Sequence, residues 1–346
     1  MSPPRFHTIP RRRWAVGGML TAAALALAAC QPIGEADGNG DPDGSPAGTG
    51  DPGDGDTTQL SIATGGTGGV YYPLGGGFAT VIRENISGYD ATVQETNASV
   101  DNMLLIQSGG ADMALVLGDT AADAVEGRAD FEGDPVEACT LGDLYSNFTQ
   151  ILTSADSGIT SIEDLSGASV SLGSPGSGTE VIALRILEVA GIDPDADIER
   201  QQLGVAETVE ALRDGTIDAG FWSGGLPTGA LIDYATTGEM ALIPHAEYEA
   251  DLQAAYGDFY VAGDVPAGTY EGQDEAVPSI IVPNVLVVNS AMDEELQRQI
   301  TEAIFENREQ LAEVQAAAEE LDPVTAGDVA FMDVCPGAQS YFDEQG

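Results

Sequence analysis

The sequence predicts an α/β fold of two lobes with a ligand cleft between them. From Ser61 onward, short apolar strand runs alternate with stretches of helical periodicity, in β-α-β-α-β order. Two separate loops rich in glycine and hydroxyl side chains, at 64–69 and 173–179, each lead into a helix. A late strand, 280–289, offers a return into the first lobe. Alternation of this kind gives a largely parallel sheet, with ligands at the C-terminal ends of its strands.

Taken in order, residues 1–29 are an export signal. Arg5, Arg11, Arg12 and Arg13 precede an apolar run from Trp14 to Ala29, with no acidic residue before Glu35. The run is too short and alanine-rich for a transmembrane helix. It ends in Leu27-Ala28-Ala29-Cys30, which resembles a bacterial lipobox and makes Cys30 the expected lipid-bearing N-terminus; the alternative is an ordinary signal peptide. Residues 30–58 are acidic, glycine- and proline-rich and almost without apolar side chains, so they cannot bury a core. They read as a disordered tether, with an end-to-end distance of roughly 30 Å.

The globular part opens with a strand, Leu60 to Ala63, and the loop Thr64-Gly65-Gly66-Thr67-Gly68-Gly69. Leu74, Phe78, Val81 and Ile82 then share one face of a helix. A glycine-rich turn leaves free N–H groups at the helix N-terminus, where the dipole favours an anion, and Tyr71 and Tyr72 add flat walls with hydroxyl tips. A plain strand–turn–helix is the competing reading. Nucleotide versions of the motif fail. The spacing G-x-G-x-x-G begun at Gly66 meets Tyr71, begun at Gly68 it meets Val70 and Pro73, and the phosphate loop needs a lysine that this chain lacks.

A strand at 91–95 leads into Thr96-Asn97-Ala98-Ser99 and a helix ending at Gly109-Gly110; the strand 113–117 leads into Gly118-Asp119-Thr120. In the second unit, a strand at 168–172 runs through Ser174, Ser177, Gly178 and Thr179 into a helix at 181–189, beside Arg185, which reads as half of a surface ion pair. A helix at 205–213 and a strand at 217–222 follow. The strand 280–289 is interrupted by Pro283-Asn284, and Ser290 is placed to cap one long helix, 293–320, whose Leu296, Ile300, Ile304 and Leu311 face a core.

Composition narrows the function. Beyond Cys30 the chain keeps seven arginines against 57 acidic residues, a net charge of −50, which disfavours nucleic acid and anionic membrane surfaces as partners. Without lysine there is no Schiff base or lysine base. His245, in an acidic loop-like stretch, reads as a surface histidine, and as the only one left after export it cannot build a histidine metal cluster. Carboxylate pairs are too numerous for counting to exclude acid/base hydrolysis. Cys139 and Cys335, in polar, turn-rich surroundings, are expected to form a disulfide in an oxidising compartment, with two free buried thiols as the alternative.

Several segments together resemble the TAXI family, the solute receptors of one class of tripartite (TRAP) transporters. They are TGGTGGVYYPLGGGFA at 64–79, SGITSIEDLSGASVSLGSPGSGTE at 157–180, LRDGTIDAGFWSGGLPTGALIDYA at 212–235 and NVLVVNSAMDEEL at 284–296, in order over nearly all of 58–325. The resemblance implies a two-lobed fold like the type II periplasmic binding proteins. Lobe 1 would be 59–155 plus about 275–346, and lobe 2 about 156–274. It implies a lipid-anchored extracytoplasmic receptor that passes a small organic acid or amino acid, glutamate- or 2-oxoglutarate-like, to a TRAP-type permease, with no catalysis, cofactor or metal.

The ligand residues expected from the two loops are Thr64, Gly65, Gly66, Gly69, Val70, Tyr71, Tyr72, Ser174, Ser177, Gly178 and Thr179. Asn97 and Asp119 join them from strand ends, and Gly225 and Pro227 from the glycine–proline turn that the resemblance places at the cleft. Two rival functions remain: an exported carboxylate-using enzyme on the same fold, and a ligand sensor that transports nothing. For the anchor, mass spectrometry of membrane-extracted protein is expected to show a chain starting at Cys30 and carrying acyl groups. A soluble mature form starting elsewhere would rule it out.

Overall fold

The computed structural model describes residues 57–237 and 240–346, all within one unit, Pro52–Gly346. The signal, Cys30 and the tether up to residue 56 lie outside the described residues.

Two parallel units share one arrangement. In the first, β1 (Thr58–Ala63) lies between β2 (Tyr89–Gln94) and β3 (Met113–Leu117), with α1 (Tyr71–Asn85) and α2 (Ser99–Ser108) as crossovers. After α3 (Gly118–Glu126) and the long strand β4 (Ala138–Ser154), the second unit repeats the order. There β5 (Ser169–Ser171) lies between β6 (Glu199–Gln201) and β7 (Ala219–Gly224), with α4 (Gly178–Val189) and α5 (Val205–Arg213) crossing over. The chain then runs through α6 (Gly229–Thr237), β8 (Met240–Leu242), α7 (Glu249–Tyr256) and β9 (Val261–Val265) to β10 (Val277–Asn289). It finishes with α8 (Glu294–Glu306), α9 (Arg308–Val314) and α10 (Pro336–Phe342).

The sheet order is β2-β1-β3-β10-β4-β7-β5-β6, with β8 paired to β4 and β9 to β10. At its centre, β4 and β10 run antiparallel and belong to both halves. β4 pairs with β10 from Ala138 to Phe148 and with β7 from Phe148 to Thr153; β10 pairs with β9 at one end and β3 at the other.

Helix α1 buries Leu74, Phe78, Val81 and Ile82, the face expected from their spacing, against Ile62, Leu115, Ile300 and Ile304. Its glycines permit a close approach: a Cβ on Gly75 would stand 2.6 Å from Thr64 Cγ2, and one on Gly77 2.8 Å from Leu311 Cδ2. A separate apolar cluster around Val170, Ile182, Ile186 and Phe221 fills the second half.

Several expectations are corrected. The helix expected over 293–320 is three pieces, α8, α9 and a 3₁₀ turn at Ala316–Glu320. Its cap is Asp293, whose carboxylate accepts from the amides of Glu295 and Leu296, and not Ser290. The break falls at Asn307, whose side chain bonds the Ala303 carbonyl (2.8 Å) while its backbone leaves the helix; the new direction lets Leu311 pack on Gly77. Pro283 does not interrupt β10. The strand continues, and register shifts at 284–287 absorb the irregularity where a ladder donor is missing.

The Cys139–Cys335 disulfide is present, and both residues are buried, not set in polar turns. The segment before α10 forms a bridge to the start of β4, with the Cys335 amide donating to the Thr140 carbonyl (2.9 Å). A sequence separation of 196 residues makes the loop long, so in the chain-entropy picture the bridge contributes up to about 5 kcal/mol.

His245 is buried, not on the surface. Its backbone amide donates to the Pro278 carbonyl (3.0 Å), which ties the acidic loop to β10. Nε2 accepts from the Ile280 amide (3.4 Å), so Nδ1 carries the proton and donates to the Ile243 carbonyl (2.9 Å). This is a neutral ring, and burial holds its pKa down to about 4 from 6.5. The unfolded chain takes the proton first. The stability this ring contributes is therefore complete above pH 6.5 and lost as pH falls from 6.5 to about 4, by about 3 kcal/mol. Denaturant titrations of wild type and His245→Gln across that window are expected to diverge by this amount. Parallel curves would mean that the ring titrates normally.

Candidate functional site

The C-terminal ends of β1, β2, β5, β6 and β7 open onto one cavity of about 830 Å³. Each of the four crossover helices begins there. Val70 and Tyr71 at α1, Ser99 and Asp101 at α2, Ser177, Gly178 and Thr179 at α4, and Val205, Ala206 and Glu207 at α5 all line it. Each of these four helix N-termini brings a partial positive charge to the space, and the lining holds no cationic side chain. Its charged lining residues are Glu95, Asp101 and Glu207.

The amides are unequally free. At α1 the Gly69 amide is taken by the Gly66 carbonyl (3.1 Å), whereas those of Val70 and Tyr71 have no acceptor among the described residues. At α4 the Ser177 hydroxyl caps the Glu180 amide (3.0 Å), and the Gly178 and Thr179 amides have no acceptor among the described residues. At α2 the Val100 and Asp101 amides donate to the Gly176 carbonyl (3.1 and 3.3 Å). With the Ala230 amide on the Gly68 carbonyl (3.3 Å), those bonds hold the two sides of the cavity together.

Thr179 Oγ1 accepts from the Ser223 amide (3.2 Å), which leaves its own proton to donate. Two further hydroxyls, on Tyr145 and Ser223, belong to buried residues of the lining and have no hydrogen-bond partner among the described residues. Burial holds the Tyr145 pKa well above its ordinary value, so that hydroxyl is a donor at any physiological pH. Tyr71 donates to Asn284 Oδ1 on β10, and burial raises its pKa likewise.

Of the residues expected from the sequence, Gly65, Gly66, Gly69, Val70, Tyr71, Asn97, Ser174, Ser177, Gly178 and Thr179 lie together in the lining. Thr64, Tyr72, Asp119, Gly225 and Pro227 do not. Thr64 is buried behind the loop, its hydroxyl on the Gln94 carbonyl (2.8 Å). Asp119 is fully buried, accepting from Tyr260 Oη (2.7 Å) and facing Arg185 Nη1 at 3.4 Å. Arg185 is therefore no surface pair: it is buried, bonded to Asp123 and Tyr260, and lies over the Tyr256 ring at 4.6 Å. Burial pushes Asp119 upward against the pull of Arg185. Gly225 packs under the Tyr145 ring, and Pro227, after a cis peptide bond, leads to Thr228.

The sequence reading missed Trp222, Tyr145 and Ser223. Trp222 Nε1 donates to Thr228 Oγ1 (2.9 Å), and the Thr228 amide donates to Tyr270 Oη (3.2 Å). That fixes the ring over Gly69, where an added Cβ would stand 2.8 Å from Cη2. A lone tryptophan two residues before a Gly-Gly turn was a usable signal. Tyr145, in the middle of a long strand, gave none.

Among the described residues no group of three or more His, Cys, Asp or Glu side chains is placed to hold a metal ion, and no helix is long and apolar enough to cross a membrane. The fold is that of the periplasmic solute-binding proteins. A binding component of a Pseudomonas aeruginosa ABC phosphonate transporter superposes with a TM-score of 0.51 at 12% identity, over 76% of this chain and 79% of its own. The Escherichia coli periplasmic aliphatic sulphonate binding protein gives 0.46 at 16% identity, over 82% of each chain. A Xanthomonas citri protein bound to ATP gives 0.49 at 14%, over 82% and 98%. By sequence the chain belongs to the NMT1-like family, whose model matches residues 62–346.

Gly69→Val drives a branched side chain into the indole. In a chain starting at Cys30, Trp222 is the only tryptophan, so its emission is expected to shift, with ligand affinity falling more than about tenfold. Unchanged emission and affinity would show that the ring does not rest on this backbone.

Proposed function

We propose that this protein is a lipid-anchored extracytoplasmic solute receptor that closes on a small carboxylate or amino acid and delivers it to a membrane permease. The observation that carries the reading is the convergence of four helix N-termini, with free amides at Val70, Tyr71, Gly178 and Thr179, on a cavity that holds no cationic side chain. Such a site holds an anion by neutral donors. The distant part of a charge near −50 is screened over about 10 Å at ordinary salt, so the balance is set by the lining itself, its free amides and hydroxyls against Glu95, Asp101 and Glu207. Lobe 1 is taken as 59–155 with about 275–346 and lobe 2 as about 156–274, with β4 and β10 as the connections.

The ordered TAXI-like segments favour a TRAP-type permease as the partner, and glutamate- or 2-oxoglutarate-like molecules as the ligand class. The lining offers no histidine, cysteine or lysine to an enzyme. Calorimetry with a carboxylate panel tests the reading. The best ligand is expected to be recovered unchanged, and Thr179→Ala, by losing one hydroxyl donor, to bind it with about 1–3 kcal/mol less free energy, or about tenfold to hundredfold less tightly. A panel without a binder, or a ligand recovered chemically altered, would sink it.

A further inference from the structure

Helix α4 brings the Gly178 and Thr179 amides to the cavity, and part of what fixes its direction lies outside the lining. At its first residue the helix is seated by close packing. A Cβ on Gly178 would stand 2.5 Å from Leu117 Cδ1 and 2.7 Å from Ser99 Oγ, so the missing Cβ lets α4 start this close to β3 and α2. A helix held at one point can still tilt. The second point is Arg185, further along α4 and about 9 Å beyond Thr179 on the helix axis.

Arg185 reaches across to α3, a helix that belongs to another part of the core. Ala121 and Ala124 of α3 are buried in the cluster around Val116 and Val285, while Asp119 and Asp123, one turn apart, share the opposite face. The guanidinium bonds Asp123 and faces Asp119 Oδ2 at 3.4 Å. Tyr260 Oη joins the two sides, donating to Asp119 (2.7 Å) and accepting from Arg185 Nη1 (2.7 Å). Tyr260 itself packs with Ile182 and Ile186 of α4. Gly118, just before Asp119, lies against β10, where an added Cβ would stand 2.8 Å from Pro283 Cγ. The network is therefore braced on the central strands. By contrast, the bonds described above on the Gly176 and Gly68 carbonyls are neutral, and those glycines are half-buried. Such bonds exchange for water at small net cost, whereas a buried guanidinium between two carboxylates fixes a geometry.

We propose that Arg185 is a positioning residue for ligand binding. By fixing α4 on α3 it sets the gap between the α4 amides and those of α1, without touching the ligand. Arg185, Asp119, Asp123 and Tyr260 all lie outside the cavity lining. The proposal rests on the receptor reading above and adds the residue that keeps its two sets of donors in register. Without the network α4 rocks about Gly178, and the two sets of amides are no longer preorganised for one anion.

Trp222 reports the register, because its ring rests on Gly69 and the next residue, Ser223, bonds Thr179. In the chain starting at Cys30 it is the only tryptophan. The double variant Arg185→Met with Asp119→Asn removes the pair without stranding a buried charge, since Asp123 keeps Arg128 at 3.2 Å. Its melting temperature is expected to stay near that of wild type. Acrylamide is expected to quench its Trp222 more readily without ligand. Its affinity for L-glutamate or 2-oxoglutarate, whichever wild type binds tighter, is expected to fall about tenfold. Arg185→Lys keeps the charge but loses the fork, and should lie between the two. Ile186→Val trims the same helix in the core, and should lower the melting temperature while leaving quenching and affinity alone. A double variant that matches wild type in quenching or in affinity overturns the proposal, as does an Ile186→Val chain altered in both. If the double variant does not fold, Tyr260→Phe, which removes one hydroxyl, is expected to raise quenching and weaken binding about threefold. No change there overturns the proposal equally. If wild type binds neither probe, the receptor reading fails, and Trp222 quenching still decides the positioning role.

Discussion

The pairing of β4 with β10 is the constraint on which the rest of the structure depends. Over Ala138–Phe148 and Ile281–Asn289 these strands make the antiparallel centre of the sheet; along that stretch the other edge of β10 pairs with β3 of the first unit, and β4 runs on past Phe148 to pair with β7 of the second. Side chains reinforce it: Thr140 Oγ1 donates to the Leu286 carbonyl (3.0 Å), Asn147 Nδ2 to Asn284 Oδ1 (3.3 Å), and Ser279 to the Thr149 carbonyl. Tyr71, at the head of α1, ties the cavity to this pair through Asn284.

Each unit places its first strand between its second and third, so both sets of helix N-termini rise on the same side of the sheet. This brings free helix-terminal amides to one cavity whose lining holds no cationic side chain, in a very acidic chain. Side-chain charge is placed elsewhere: Arg185 is enclosed by Asp119, Asp123 and Tyr260, where removing one member would strand a buried charge. The network spans α3 and α4, one from each side of the cavity, and so helps to fix their relative position. Backbone amides line the cavity and a buried ion-pair network aligns the helices behind it, so one of the seven arginines beyond Cys30 serves alignment.

Much of this was legible in the chain. The four-residue face of α1, the all-apolar β3 and the two glycine-rich loops identify themselves, because periodicity and backbone freedom are local properties. Ten of the residues expected in the cleft do lie in its lining. What escaped were positions whose role depends on distant partners. His245 sits among acidic residues in sequence and under β10 in space, and Asp119 follows a buried strand but turns to Arg185, 66 positions on.

The sequence by itself determined the alternation of elements, the places where helices begin with free amides, and the absence of lysine and of a second histidine beyond Cys30. Those follow from residue type and spacing. Only the tertiary structure decided which N-termini face one another, that Tyr145, Trp222 and Ser223 complete the cavity, and that the C-terminal helical stretch breaks at Asn307 to pack Leu311 on Gly77. Those outcomes depend on strand order and on contacts between residues far apart in the chain, and no local pattern carries that information.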